Sequence, residues 1–246
     1  MPDLPTGMVT LLFTDIEGST RLWEQYPEAM PVALACHDAI LREAIIARNG
    51  VVFRTVGDAF FAAFASALDA LAAALAAQRG LYAQGWNEIG QLRVRMALYT
   101  SLVELRDGDY LGPPLNRIAR LLAAGHGGQT LLSRAAEEAV RDHVPPGAVL
   151  HDMDEHYLKD LTEPEHIFQV VMPDIPANFP ALKTITNQSA AKAAERPLVT
   201  ADQALRQAKL PEMPGVDYDA VWKKQRERAL ERRKRKKKTG NSGGLF

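Results

Sequence analysis

Apolar and polar positions along the chain fall into short blocks with two periods. Val9–Thr14 is a compact apolar run that predicts a buried strand. From Glu24 to Asn49 the apolar residues, among them Leu34, Ile40, Leu41 and Ile45, fit a helix, and Asn49-Gly50 supplies its stop. Val51–Arg54 and Asp58–Phe64 predict two strands joined through Gly57. Ser66 is placed to cap a helix reaching about Gln84, with Leu68, Leu71 and Leu75 on one side. Leu92–Thr100 and Leu102–Arg106 predict another strand pair. Pro113 suits the first turn of a helix that runs to Ala124 and stops at Gly125. Its core stripe is expected at Leu115, Ile118, Ala119 and Leu122. Thr130–Ser133 predicts a short strand, and Ser133 can cap a helix from Arg134 to Arg141. Val149–His151 and Ile167–Val171 predict closing strands.

Strand-helix-strand-strand-helix-strand is the order of an α+β, ferredoxin-like βαββαβ sandwich, here extended by extra strands and helices. After Pro173 the pattern fails, and P-D-I-P-A-N-F-P reads as the end of the domain. The expected organisation is a folded domain over residues 1–175, a weakly structured linker over 176–216, and a basic, helix-patterned tail over 217–246. There is no internal repeat.

Composition narrows the class. A chain of 246 residues can build one good core with appendages. The single cysteine, Cys36, excludes an intramolecular disulfide and suits a reducing compartment. The start M-P-D-L-P-T-G has no signal-peptide features, and no apolar run approaches bilayer length. A cytoplasmic location is therefore expected. The formal net charge of −1 hides a split: Lys223 to Lys238 carries eleven Lys/Arg and two Glu, a net of +9, which leaves −10 on the remainder. Three readings of this tail stay open: a solvated end without a partner, a contact with an anionic membrane surface giving peripheral association, and non-specific nucleic-acid binding. No aromatic residue interleaves the run, which speaks against base stacking.

Candidate chemistry begins with F-T-D-I-E-G-S-T. A strand delivers Asp15 to its own end, beside a glycine turn, where a carboxylate can hold a divalent cation against a polyphosphate. R-T-V-G-D-A-F offers Asp58 at a second strand end. Either acid alone reads better as a turn aspartate. Asn116 and Arg120 lie four apart on the helix after Pro113 and share a face at the border of its core stripe, where such a pair can be structural or can present donors to an anion. Asp109 lies in the turn before that helix, and Arg54 ends a strand. The six histidines form no ligand spacing with the cysteine. Leu22 and Trp23 are expected to pack beneath the first helix, and Cys36 to be buried.

Three segments, F-T-D-I-E-G-S-T, R-T-V-G-D-A-F and D-Y-L-G-P-P-L-N-R-I-A-R-L, resemble in order and spacing the signature blocks of class III nucleotidyl cyclases. G-G-Q-T-L-L-S resembles the strand and cap that follow, so the likeness covers residues 7–172. It implies metal binding by Asp15, Asp58 and the backbone carbonyl of Ile16, transition-state contacts by Asn116 and Arg120, and base reading by Arg54 and Asp109. It also implies two divalent metal ions, Mg2+ or Mn2+, and a homodimer whose sites take metal ligands from one chain and the other groups from its partner. The activity implied is conversion of a nucleoside triphosphate, ATP first, to a 3′,5′-cyclic nucleotide and pyrophosphate. Arg54 stands where adenylyl cyclases commonly carry lysine. A planar fork suits carbonyl acceptors, which leaves GTP, CTP and UTP open. Tyr99-Thr100-Ser101 replaces the His-Thr-Gly common in bacterial relatives. The alternative reading is a catalytically silent cyclase-homology module acting through its tail.

Overall fold

The computed structural model describes residues 4–106 and 108–185. These lie in the first of the two units into which the chain divides, Met1–Arg196 and Pro197–Phe246. The tail, and the linker beyond residue 185, lie outside the described residues.

The central strand is β1, Gly7–Ile16. It pairs antiparallel on one side with β3, Ala59–Phe64, and on the other with β4, Val94–Arg106. β2, Val51–Val56, forms the hairpin edge beyond β3, and Gly57 turns that hairpin at φ 60°. With α2 (Met30–Ile46) after β1 and α3 (Ala67–Ala83) after β3, the strand order β2-β3-β1-β4 is the ferredoxin-like arrangement. The sheet then extends through β6 (Thr130–Ser133), parallel to β4, then β8 (Glu165–Val171) and β7 (Val149–His156), while β5 (Asp109–Leu111) pairs with the far end of β4.

Alternation along β1 explains its nearly unbroken apolar sequence. Val9, Leu11 and Phe13 face one core and Leu12 and Ile16 the other, all buried. The first core packs α2, α3 and α5 (Arg134–Val140) against the sheet. The second packs α4 (Pro113–Ala124) with Tyr110, Leu158 and Leu182 against its opposite face.

The structure corrects several expectations. The helix expected over 24–49 is two helices, α1 (Ser19–Gln25) and α2, because Pro27 has no N–H and drives Tyr26 out of helical dihedrals. The strand pair expected over 92–106 is one strand: Ser101 stays in the ladder opposite Val9, and pairing with β1 reaches Val103. On α4 the buried line is Ile118, Leu121 and Ala124, with Leu115 and Leu122 flanking it and Ala119 exposed. Trp23 is exposed, although Leu22 is buried, and Cys36 is only partly buried. Residues 176–185, assigned to the linker from sequence, lie against the body: Leu182 joins the second core and Ile185 bridges Tyr157.

Helix caps follow the sequence closely. Ser66 and Ser133 each accept a backbone N–H three residues on. Asn49, at φ 57°, takes the left-handed position after α2. Gly50 is needed for space instead, since a Cβ there would lie 2.3 Å from the Phe64 ring and 2.7 Å from Ile45 Cγ2. Gly50→Ala is expected to cost about 1–3 kcal/mol by overpacking, read as a lowered urea midpoint at unchanged slope.

His37 is fully buried, edge-on to Phe60, with Nδ1 on Asp38 and Nε2 without a partner. Burial holds its pKa below the ordinary value; Asp38 opposes the shift without cancelling it. The folded state therefore keeps a neutral ring, while the unfolded chain takes up a proton below about pH 6.5. Stability should fall as pH drops through that value, and His37→Leu should flatten the pH dependence of stability measured by urea melts between about pH 5 and 7.

Candidate active site

The first half of the site is made by register. β1 carries Asp15 to its end, on the same face as Leu11 and Phe13, and β3 begins directly after the Gly57-Asp58 turn. Thr14 pairs with Phe60, so the two strand ends meet. Asp58 Oδ2 accepts the backbone N–H of Ile16 at 2.8 Å. That bond fixes the Asp58 carboxylate beside Ile16, the residue that follows Asp15, so the three residues expected to supply metal donors lie together at these strand ends.

Arg95 is the cation at this point. It is the β4 residue directly opposite Asp15 in the β1–β4 ladder, and its Nη2 lies against Asp15 Oδ2. Its Nε is buried without a partner. Two carboxylates and one carbonyl suit a hard, oxygen-seeking cation that completes its shell with water and phosphate oxygens. Among the described residues no group of three or more His, Cys, Asp or Glu side chains forms a self-sufficient metal cage. The donor set therefore fits a Mg2+- or Mn2+-type ion shared with a polyphosphate, and Arg95 marks where positive charge is favoured.

The second half lies on β2, β5 and α4. Arg54 Nη2 contacts Asp109 Oδ2, and Asp109 Oδ1 accepts from the N–H of Tyr110. The expected base-reading residues are therefore partners within one chain. Tyr110 is locked beneath them: its hydroxyl donates to the Pro5 carbonyl at 2.7 Å, its ring meets Phe53 edge-on, and burial pushes its pKa up to about 12. Asn116 is exposed on the first turns of α4. Arg120, one turn on, donates to Asp160 at 2.7 Å. Asn116 and Arg120 share no hydrogen bond or ion pair with Asp15 or Asp58 among the described residues, so a single chain leaves the acids and the α4 pair as separate groups.

α4 is pinned by its intervening residue. Arg117 donates to Glu165 at 2.8 Å beside half-buried Tyr99. Burial raises the Glu165 carboxyl above its ordinary value; Arg117 opposes this only in part. Tyr99 is raised by burial and by the Glu165 charge. This is a packed network on the α4 face, in keeping with Tyr99 as a core-facing aromatic.

Similarity agrees with the geometry. Residues 1–98 match the model of the adenylate and guanylate cyclase catalytic domain. An uncharacterized protein of Mycobacterium tuberculosis is 44% identical over 182 residues, 73% of this chain and 61% of that protein. The chain therefore spans about three fifths of that relative's length. A structure of adenylate cyclases from Trypanosoma brucei in their monomeric state superposes with a TM-score of 0.67 at 26% identity, covering 75% of this chain and 98% of that one. Residues 1–98 thus resemble the adenylate/guanylate cyclase catalytic domain, and the described fold is that of the Trypanosoma cyclases. The adenylate cyclase of Neurospora crassa is 35% identical over 154 residues, which is 52% of this chain and 7% of the fungal protein.

Sequence reasoning missed two participants in this site. Arg95 is defined only by the β1–β4 register, although the alternation R-V-R at 93–95 shows two arginines on one strand face. Asp160 belongs to a loop with no motif; its left-handed φ of 63° is visible only in the fold.

The Arg54–Asp109 pair is more than a third exposed at both ends, so solvent screening leaves it worth less than about 1 kcal/mol to folding. Asp109→Asn should leave the thermal midpoint within about 2 °C of wild type. A melt shifted by much more would mean that the pair is structural.

Proposed function

We propose that the chain is a homodimeric nucleotidyl cyclase that converts a nucleoside triphosphate, ATP in the first place, to a 3′,5′-cyclic nucleotide and pyrophosphate. One observation carries the reading: Asp58 accepts the Ile16 N–H, which seats its carboxylate beside the residue that follows Asp15.

Asp15, Asp58 and the Ile16 carbonyl would hold the two divalent ions. When bound, these ions lower the cost of ionising the ribose 3′-hydroxyl and of the charge on the departing pyrophosphate. Arg120, on a rigid helix, directs a guanidinium toward the pentavalent phosphorus of the partner's site, where preorganised charge acts without reorganisation. Asn116 orients the ribose. In the single chain Asp160 holds Arg120, so engagement of the partner's substrate exchanges one anion for another at the same guanidinium. The separation of the acids from the α4 pair within one chain supports a site completed by a second copy.

Base choice follows from Arg54 and Asp109. Asp109 retains lone pairs for an exocyclic amine, and Arg54 retains free N–H donors for a ring acceptor, a match to adenine's amine and N1. The same set also accommodates a carbonyl purine, so the name of the fungal relative adds weight to ATP. The basic tail is proposed as a contact for anionic membrane or nucleic acid, separable from catalysis.

Turnover of the four triphosphates with Mn2+ should favour ATP; a preference for another base overturns that choice. Asp58→Ala and Arg120→Ala should each lose roughly 10²–10³ in rate. Mixing the two dead variants should restore about a quarter of wild-type turnover, because random pairing leaves one intact site in half of the dimers. No recovery on mixing would overturn the shared site, and no cyclic product from wild type would overturn the activity.

A further inference from the structure

Beyond β8 the chain runs back over the body, and one side chain there gathers three segments. Lys183 Nζ donates to Glu17 Oε1 at 2.8 Å and to the Gly125 carbonyl at 3.2 Å, while its backbone N–H donates to the Ala124 carbonyl at 2.9 Å. Glu17 directly follows Ile16. Ala124 and Gly125 are the last residue and the C-cap of α4, the helix that carries Asn116 and Arg120. The ammonium thus sits on the carbonyl end of one functional helix and on the first residue after the metal-type donors.

The surroundings make this contact a fixed one. Glu17 N–H donates to the Arg93 carbonyl at 2.9 Å, and Gly127 fits so tightly beside Glu17 that a Cβ would lie 2.9 Å from Glu17 Oε2 and 2.5 Å from Arg93 Cβ. Leu182 anchors the segment in the second core. Farther upstream, Arg79 holds Asp174 through two hydrogen bonds. Between these anchors, Ile175, Pro176, Asn178, Phe179 and Pro180 line a cavity of about 320 Å³ against the end of α3, and the Ala177 carbonyl accepts from Gln169 Nε2 at 2.9 Å. The segment is therefore fastened at points rather than packed throughout, and Lys183 is the point nearest the site.

We propose that Lys183 is a positioning residue that clamps the loop after Asp15 and Ile16 to the C-terminal end of α4, so that the segment following the last strand sets the metal affinity of the site. The metal part of this inference rests on the nucleotidyl cyclase reading; the clamp itself does not. Loss of the ammonium leaves Glu17 with only the Gly127 backbone N–H, loosens the 15–19 segment relative to α4, and weakens cation binding without unfolding the domain. Lys183→Arg keeps a donor that can reach both oxygens.

The test uses the full chain and two readouts that need no catalysis: amide hydrogen exchange, and Mn2+ titration followed by electron paramagnetic resonance. Lys183→Met should speed exchange at residues 15–19 and 121–127 and weaken Mn2+ binding about fivefold, the scale of a partly exposed charge contact. Lys183→Arg should behave as wild type, since it keeps donors for both Glu17 and the Gly125 carbonyl. Lys183→Met with unchanged exchange, or with unchanged Mn2+ affinity, overturns the proposal; so does a wild-type chain that binds no Mn2+. Wild-type protein that binds Mn2+ with the expected response to Lys183→Met, yet makes no cyclic nucleotide, supports the clamp and overturns only the activity.

Discussion

The register of β1 between its two neighbours is the constraint on which the rest of the molecule depends. One strand, buried on both faces, must align Thr14 with Phe60 on one side and Asp15 with Arg95 on the other. A slip of one residue would turn Asp15 into the core of α2 and α3 and move Leu12 and Ile16 to the opposite face. The hydrophobic demand of two cores therefore sets the placement of a polar group that neither core uses. Ile16 contributes to both sides of this arrangement: its side chain is buried in the first core while its backbone N–H holds Asp58.

The two halves of the site rest on different parts of the fold. The acids sit at strand ends, where the sheet dictates position to within a fraction of a residue. The α4 pair sits on a helix whose buried line, Ile118, Leu121 and Ala124, sets its rotation, and whose exposed side carries Asn116. Two side-chain pairs, Arg120 with Asp160 in the loop before β8 and Arg117 with Glu165 at the start of β8, then hold α4. The first is exposed and individually weak, the second largely buried.

Much of this was legible in the chain because it was written locally. Ser66 and Ser133 caps, the Gly57 turn, the Pro113 start and the Gly125 stop all act within one turn of themselves, and they appear where sequence puts them. The expected site residues fall into coherent groups: Asp15, Ile16 and Asp58 at one place, Arg54 with Asp109 at another. What failed depended on distant partners. The continuity of β4 through Ser101 is imposed by β1, the exposure of Ala119 by the angle at which α4 meets the sheet, and the Asp15–Arg95 contact by a pairing eighty residues apart. The break at Pro27 is the exception, a local signal that periodicity across it obscured.

The long reach of β1 also bears on how the protein is made. Its ladder with β4 joins Gly7 to Val103, so during synthesis β1 lacks its neighbour on that side until β4 has also been made. At roughly 5–20 residues per second that interval lasts about 5–20 s. Until then one edge of V-T-L-L-F-T, uncharged and rich in β-formers, stands open to pairing with another strand. Wrong pairing at that edge, rather than any step at the finished site, is the hazard that the long ladder builds in.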